Sequence, residues 1–480
     1  MAQSDIQGKI DPLFQPTPRF DLLQAPLLGR LLRWRWARLV VQLLTLLVAA
    51  LVLYDGFTGP QVAPNNLATV TVWVHYRGFV VFALLLAGNL FCMSCPFTLP
   101  RTLARRFGRG ARRWPRRLRN KWTAIAVLLL FLWLYEWLDL WASPWLTAWI
   151  VVAYFVASFV LEAMFAESPF CKYVCPLGTF NFAGSTISPL QITVRDADVC
   201  RTCEGKECIN GSAEVSGCGT ELFPPQMTSN MDCVLCLDCA RACPYDNVAL
   251  AARSPLREVS DPAAWPRRWD LNLLIVIFAF VALSNAFGMV APVYELERQM
   301  MGLLGTQNEG VILALLFGLL NLLLPISLTL GAAWLSRRLA SRKEALRISL
   351  ARYAPAFAPL AFAIWLAHYG GFHFLTSALT IVPVLQSFLL DHRITVLGQP
   401  DWTMGPIIPA GWLDPLELLV VLAGFAASLY VVAQRARRAE QSPDPPLAQL
   451  PWLLLLLLLA LAAMAVLLMP MEMRGTIQAG

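Results

Sequence analysis

Cys233-Val-Leu-Cys236-Leu-Asp-Cys239-Ala-Arg-Ala-Cys243-Pro244 is the stretch on which the reading of this chain turns. Its spacing, C-x2-C-x2-C-x3-C-P, is the bacterial ferredoxin signature for a cubane iron–sulfur cluster. Three thiolates on one tight loop address three irons of a cube. The fourth cysteine, set apart before a proline, ligates a second cluster. The motif therefore asks for a partner set. A structural zinc knuckle uses two separated pairs and fits this spacing poorly.

A second set precedes it: Cys200-x2-Cys203-x4-Cys208-x9-Cys218. Gly205, Gly211, Gly217 and Gly219 allow the backbone to wrap closely there. Exchange of the distant ligands assigns Cys200, Cys203, Cys208 and Cys243 to one cluster, and Cys233, Cys236, Cys239 and Cys218 to the other. The alternative leaves Cys218 free and one cluster incomplete. Between Asp198 and Asp246 eight acids face three basic residues. Such a field suits docking against the basic stretch 101–121 or steering of a basic partner, as well as an ordinary solvated surface.

Composition places this cysteine-rich segment at a membrane. The 480 residues are 57% hydrophobic and 14% charged, with mean hydropathy +0.57, whereas a soluble domain is nearer a quarter charged. Nine apolar runs approach the roughly 20 residues that cross a bilayer: 37–54, 68–91, 122–141, 145–166, 271–291, 310–334, 354–377, 415–433 and 450–470. The first reads as an anchor rather than a cleavable signal. The tryptophans mostly flank the runs, as interfacial anchors do.

Basic residues set the expected orientation. The stretch 101–121 carries Arg101, Arg105, Arg106, Arg109, Arg112, Arg113, Arg116, Arg117, Arg119 and Lys121, with no acid. Arg30, Arg33, Arg35 and Arg38 precede the first run, Arg337 to Arg347 follow the sixth, and Arg435, Arg437 and Arg438 follow the eighth. With nine spans all four clusters fall on one side, which is the cytoplasmic side by the positive-inside rule. The net charge of +7 is this topology signal, and no nucleic-acid-binding fold accompanies it. The expected fold is a polytopic α-helical membrane protein of about nine spans, with an inserted small α+β ferredoxin-like domain binding two [4Fe-4S] clusters. Its parts are a cytoplasmic segment 1–36, two transmembrane hairpins 37–175, the cytoplasmic domain 176–265, and a transmembrane domain 266–480 of four to five spans. The expected location is a bacterial inner membrane, with the carboxyl end periplasmic.

The remaining cysteines form a repeat. Phe91-Cys92-Met93-Ser94-Cys95-Pro96 follows the second run, and Phe170-Cys171-Lys172-Tyr173-Val174-Cys175-Pro176 the fourth. Two copied hairpins packed about a pseudo-twofold axis would present Cys92, Cys95, Cys171 and Cys175 to one site, suited to a third cubane cluster. Free thiols or a structural zinc are the alternatives. Stable disulfides do not suit a reducing compartment.

These paired F-C-x2/3-C-P motifs on hairpins, followed by a ferredoxin module, resemble the NosR/NapH membrane polyferredoxins over approximately residues 30–260. Ala367-His368-Tyr369-Gly370-Gly371-Phe372-His373-Phe374 and Pro470-Met471-Glu472-Met473-Arg474-Gly475 resemble the FesM type of membrane iron–sulfur protein. The resemblance implies electron transfer tied to the quinone pool or to cytochromes. It also admits a role in metalloenzyme maturation or regulation, with electrons supplied to a metal site. Cys92 and Cys95 depart from the family, being separated by two residues where three are usual. A flavin-attachment domain like that of NosR is not expected before the first run.

Outside the cysteines, His368 and His373 fall inside the seventh run, and an intramembrane ionisable residue is a functional candidate by default. Residues five apart do not share an α-helical face, so haem b is not favoured. The chain lacks C-x-x-C-H, which excludes c-type haem. Quinone contact, with histidine as proton partner, is the preferred reading; a histidine satisfied by a neighbouring helix is the alternative. Asp55, His75, Arg77, Glu136 and Asp139 map to the outer half of the first four runs and together suit a proton-linked quinol or docking site; Asp55 and Asp139 read rather as interfacial, while His75 and Arg77 stand as quinone candidates. Glu162 lies two turns before Cys171, placed to relay a proton. No nucleophile–base pair or phosphate loop is present. The expected function is a one-electron wire between the ferredoxin domain, a membrane-surface cluster, and quinone or a partner such as a cytochrome. A structural anchor for a larger redox complex is a further alternative.

Overall fold

The structure is a computed structural model that describes residues 18, 20–100, 112–165, 168–439 and 443–472. Arg101, Arg105, Arg106 and Arg109 of the basic stretch, and Met473, Arg474 and Gly475, lie outside them. The described chain is mostly helical with one two-stranded sheet. It divides into two compact units: residues 1–47, 83–120 and 155–258, and residues 48–82, 121–154 and 259–480. The units interleave along the chain and do not follow the consecutive segments read from composition.

Among the described residues eight helices are long and apolar enough to cross a membrane: Ala37–Thr58, Leu67–Leu86, Pro144–Met164, Trp269–Phe287, Glu309–Leu339, Leu346–Leu375, Ala410–Arg437 and Pro446–Leu467. The expected run 122–141 is corrected. It forms a helix of only 16 residues, Trp122–Trp137. Asp139 ends the apolar run in a left-handed conformation, φ 42°, which a continuing helix excludes. The carboxyl-terminal part holds five of the eight.

In the first unit, strands Leu190–Val194 and Val248–Ala252 pair antiparallel, with Leu190 opposite Ala252 and Val194 opposite Val248. The sheet thus ties together the two ends of the segment that carries eight cysteines. Alternate residues Ile192, Val248 and Leu250 pack with Leu23, Leu235 and Leu237 into one apolar core. This burial holds the Cys233–Cys239 loop against the sheet. Asp21 joins the sheet edge opposite Ala251 and accepts from the Leu250 amide at 3.1 Å.

In the second unit, helices Trp269–Phe287 and Leu346–Leu375 are almost wholly buried. A helix that is apolar all round belongs inside a bundle. Small residues let neighbours approach them: a Cβ on Gly424 would lie 2.2 Å from that of Ala363, the close packing typical of membrane helices. Four stretches wind as π-helix: Val70–His75, Phe170–Val174, Leu319–Leu323 and Leu366–Leu375.

Candidate functional site

All twelve cysteines lie in the first unit and none forms a disulfide. The structure gathers them into three groups of four. Cys200, Cys203, Cys208 and Cys243 line one pocket. Cys243 comes from beyond the second motif, and its sulfur interacts electrostatically with those of Cys200 and Cys208. Cys239 interacts with Cys236, Cys218 and Cys233, and last with Cys208 of the neighbouring group, and Cys218 also acts on Cys233 and Cys236. Cys171 interacts with Cys175, Cys95 and Cys92.

The local backbone explains the grouping. Proline disfavours helical backbone in the residue before it. Cys95, Cys175 and Cys243 are accordingly extended, with φ and ψ of −61° and 120°, −66° and 115°, and −72° and 115°. Leu235 and Leu237 take left-handed backbone at φ 52° and 61°, at a cost of about 1–3 kcal/mol each. Such turns aim amide groups inward and make the concavities that receive anions and iron–sulfur groups. Of the glycines expected to permit wrapping, Gly211 has φ 87°, and a Cβ on Gly217 would meet the Ile209 carbonyl at 2.1 Å.

Several sulfurs accept hydrogen bonds. The Gly178 amide donates to Cys175 Sγ at 3.2 Å, and Asn181 Nδ2 to Cys92 Sγ at 3.4 Å. The Leu222 amide donates to Cys218 Sγ at 3.3 Å. Asn247 donates twice, from Nδ2 to Cys200 Sγ at 3.1 Å and from its amide to Cys243 Sγ at 3.4 Å. Cys203 instead directs its thiol toward Glu207 at 3.8 Å. Burial pushes the Cys92 thiol up to about 11, and those of Cys175, Cys208 and Cys236 up to about 12, because a thiolate loses its hydration there. A bound cation offsets that loss and displaces the proton. Acceptor sulfurs, inward-turned backbone and unpaired buried thiols together fit cluster ligation. Among the described residues no three His, Cys, Asp or Glu side chains converge as ligands of a single ion. A cubane spreads its four thiolates over four irons and does not need such convergence.

Two side chains join the membrane-end group to the Cys233 group. Asn89 accepts from the Cys92 amide at 3.4 Å and donates to the Cys233 carbonyl at 3.1 Å. Arg38 pairs with Asp238 and acts electrostatically on Cys236, Cys171 and Cys95. One turn on, Gln42 Nε2 donates to the Cys95 carbonyl at 3.0 Å, and next Thr45 Oγ1 to the Ser94 carbonyl at 2.6 Å. Arg33 pairs with Asp246 at 2.8 Å. The acids of the module thus meet Arg33 and Arg38, which sequence reading treated only as orientation signals. Glu162 accepts from Ser168 at 3.4 Å and acts on Cys171.

The second unit contains a separate polar centre. The Arg77 guanidinium lies 5.0, 4.6 and 4.7 Å from the ring centres of Trp73, Tyr135 and Tyr369, and Glu136 is an electrostatic neighbour. His368 and His373 have ring centres 4.7 Å apart. Both are buried. Arg77 Nη1, both ring nitrogens of His368, His373 Nε2 and Glu417 Oε1 have no hydrogen-bond partner among the described residues. The expectation that residues five apart diverge is corrected, because the segment winds as π-helix and its wider turn returns the fifth residue to the same face. His75 is committed elsewhere, its ring nitrogens 3.0 and 2.9 Å from the Val70 and Ala378 carbonyls. Asp55 accepts from the Leu67 amide at 2.6 Å and caps that helix. Glu417 was missed by sequence reading, although an acid within the apolar run 415–433 was the available signal. Asn89, Asn181 and Asn247 carried none.

No family model, curated protein or solved structure matches this chain.

Proposed function

We propose that this protein is a membrane-integral iron–sulfur electron-transfer subunit, holding two [4Fe-4S] clusters in a ferredoxin-like module and a third beside it. The observation that carries the proposal is that Cys243 lines one pocket with Cys200, Cys203 and Cys208, while Cys218 is an electrostatic neighbour of Cys233, Cys236 and Cys239. Cys200, Cys203, Cys208 and Cys243 would hold one cluster, Cys218, Cys233, Cys236 and Cys239 the second, and Cys92, Cys95, Cys171 and Cys175 the third. When bound, such clusters exchange single electrons at potentials set by charge, hydrogen bonds and burial.

The chain supplies those settings. Asn247, Asn181 and the Gly178 and Leu222 amides donate to ligand sulfurs. Arg38 holds a positive charge between two groups, and Asn89 ties their backbones together. The apolar core around Leu235 and Leu237 keeps water from the central group. In the second unit, Arg77, His368 and His373 offer buried donors of the kind that receive the oxygens of a quinone, and the histidines can take or release its protons. The resemblance to the NosR/NapH polyferredoxins supports the same reading, with quinone or a partner cytochrome as the membrane-side redox partner and a bacterial inner membrane as the location.

The test is analysis of anaerobically purified protein. About 12 iron atoms and as many acid-labile sulfides per chain are expected from three cubanes. About eight would remove the membrane-end cluster, and absence of iron and sulfide would overturn the proposal.

A further inference from the structure

An open recess lies in the second unit where three apolar helices end on one side: the start of Trp269–Phe287, the start of Leu346–Leu375, and the end of Ala410–Arg437. Four arginines line it, Arg267, Arg352, Arg435 and Arg438, together with Trp265 and Ile348. The arginines are not equivalent. Arg352 is neutralised, with Glu344 gripping it at 2.7 and 2.6 Å and Asp444 at 3.3 Å. Arg435 is 2% exposed and is held by carbonyls. It donates to those of Val259 at 2.8 Å, Ala351 at 2.9 Å, Asp261 at 3.3 Å and Arg352. Carbonyls fix a guanidinium without cancelling its charge. The Asp261 carboxylate is its acidic neighbour. Arg267 and Arg438 are exposed, and Arg438 makes no ion pair among the described residues.

Arg435, held by carbonyls, and Arg438 thus keep the recess basic beside the neutralised Arg352. One fixed charge lies at the base, two adaptable ones at the exposed edge, and an apolar wall of Trp265, Ile348 and Pro262 beside them. A basic recess between membrane helices on the arginine-rich side suits a phosphate ester. Guanidinium groups match phosphate oxygens in pairs, and an indole with aliphatic neighbours suits the glycerol and first methylenes behind the phosphate. We propose that this cavity binds the phosphate of an anionic glycerophospholipid, with Arg267 and Arg438 on the oxygens and Arg435 as the buried counter-charge. The inference is independent of the iron–sulfur reading.

The experiment uses the full chain in detergent, with thermal unfolding and native mass spectrometry as readouts. The probes are phosphatidylglycerol, phosphatidylcholine and inorganic phosphate. Phosphatidylglycerol should raise Tm and remain bound in the spectrometer, while phosphatidylcholine should do neither. The double variant Arg267→Gln/Arg438→Gln should bind phosphatidylglycerol about tenfold more weakly, or worse. A control pair of equal charge outside the cavity, Arg347→Gln/Arg437→Gln, both exposed, should bind like the unmodified chain. Stabilisation by inorganic phosphate, lost in the cavity variant only, would keep the phosphate chemistry but overturn the lipid as its source. Equal binding by the cavity variant and the unmodified chain would overturn the site, as would equal weakening in both variants.

Discussion

Arg38 carries a positive charge into the space between two groups of sulfur atoms. Its side chain is 20% exposed, so part of its field is unscreened by water. Positive charge favours the more negative, reduced state of a neighbouring cluster. Arg38→Gln should therefore lower a midpoint potential by about 60 mV, the size of a tenfold change in a one-electron equilibrium. A redox titration followed by electron paramagnetic resonance reads this directly. Iron content should not change, because Asp238 keeps its second partner Arg241 at 2.7 Å. An unchanged set of potentials would show that Arg38 only tethers. Cys243 gives a sharper test of ligand exchange. Cys243→Ser should remove the signal that Cys208→Ser also removes, with about four irons lost in each. The signal lost in Cys236→Ser should survive both. If Cys243→Ser and Cys236→Ser removed the same signal, the sequential motif would be a single-cluster site.

At the scale of elements, the same dipeptide recurs with one geometry. Cys95-Pro96, Cys175-Pro176 and Cys243-Pro244 share an extended cysteine, and that much was legible as a bias, since proline disfavours helical backbone in its predecessor. Cys218, which spacing and motif assign to the Cys233 group, is an electrostatic neighbour of Cys233, Cys236 and Cys239. The left-handed Leu235 and Leu237 were not, because branched residues at positive φ contradict local preference and persist only where burial over-determines them. The π-helical winding of Leu366–Leu375 was equally hidden, since apolar periodicity cannot reveal one extra residue in a segment apolar all round. Gly78 shows what such packing requires. A Cβ there would lie 2.4 Å from the Phe374 ring, beside His373. Gly78→Val should destabilise by about 1–3 kcal/mol through overpacking, read as a fall in Tm in detergent. Adding Phe374→Gly, which removes the Phe374 Cβ as well as the ring, both 2.4 Å from the added Cβ, should restore part of the loss. Full destabilisation in the double variant would place the clash elsewhere.

At the scale of the whole molecule, the short helix Trp122–Trp137 decides the topology. Its 16 residues reach about 24 Å at 1.5 Å each, short of a hydrocarbon core of about 30 Å. Mismatch of that size is met by local thinning and by anchoring residues. Lys121 and Trp122 stand at one end, and Trp133 and Trp137 stack at 4.8 Å at the other. Charge parity supplies a second argument. If this helix crosses, there are nine passages, and the arginines before Ala37, after Leu339 and after Arg435 share a side. If it does not, every segment after Pro144 inverts, and Arg337 to Arg347 and Arg435 to Arg438 stand opposite Arg30 to Arg38, against the positive-inside rule. Crossing is therefore expected despite the length. Alkaline phosphatase fused after Ser143 should be active, and fusions after Asp261 and after Arg438 should be inactive. A fluorescent protein that folds only in the cytoplasm should give the complementary pattern at all three points. An inactive Ser143 fusion together with an active Asp261 fusion would mean that the helix turns back. It would also put the cysteine-rich segment outside, where its unpaired thiols would meet an oxidising compartment.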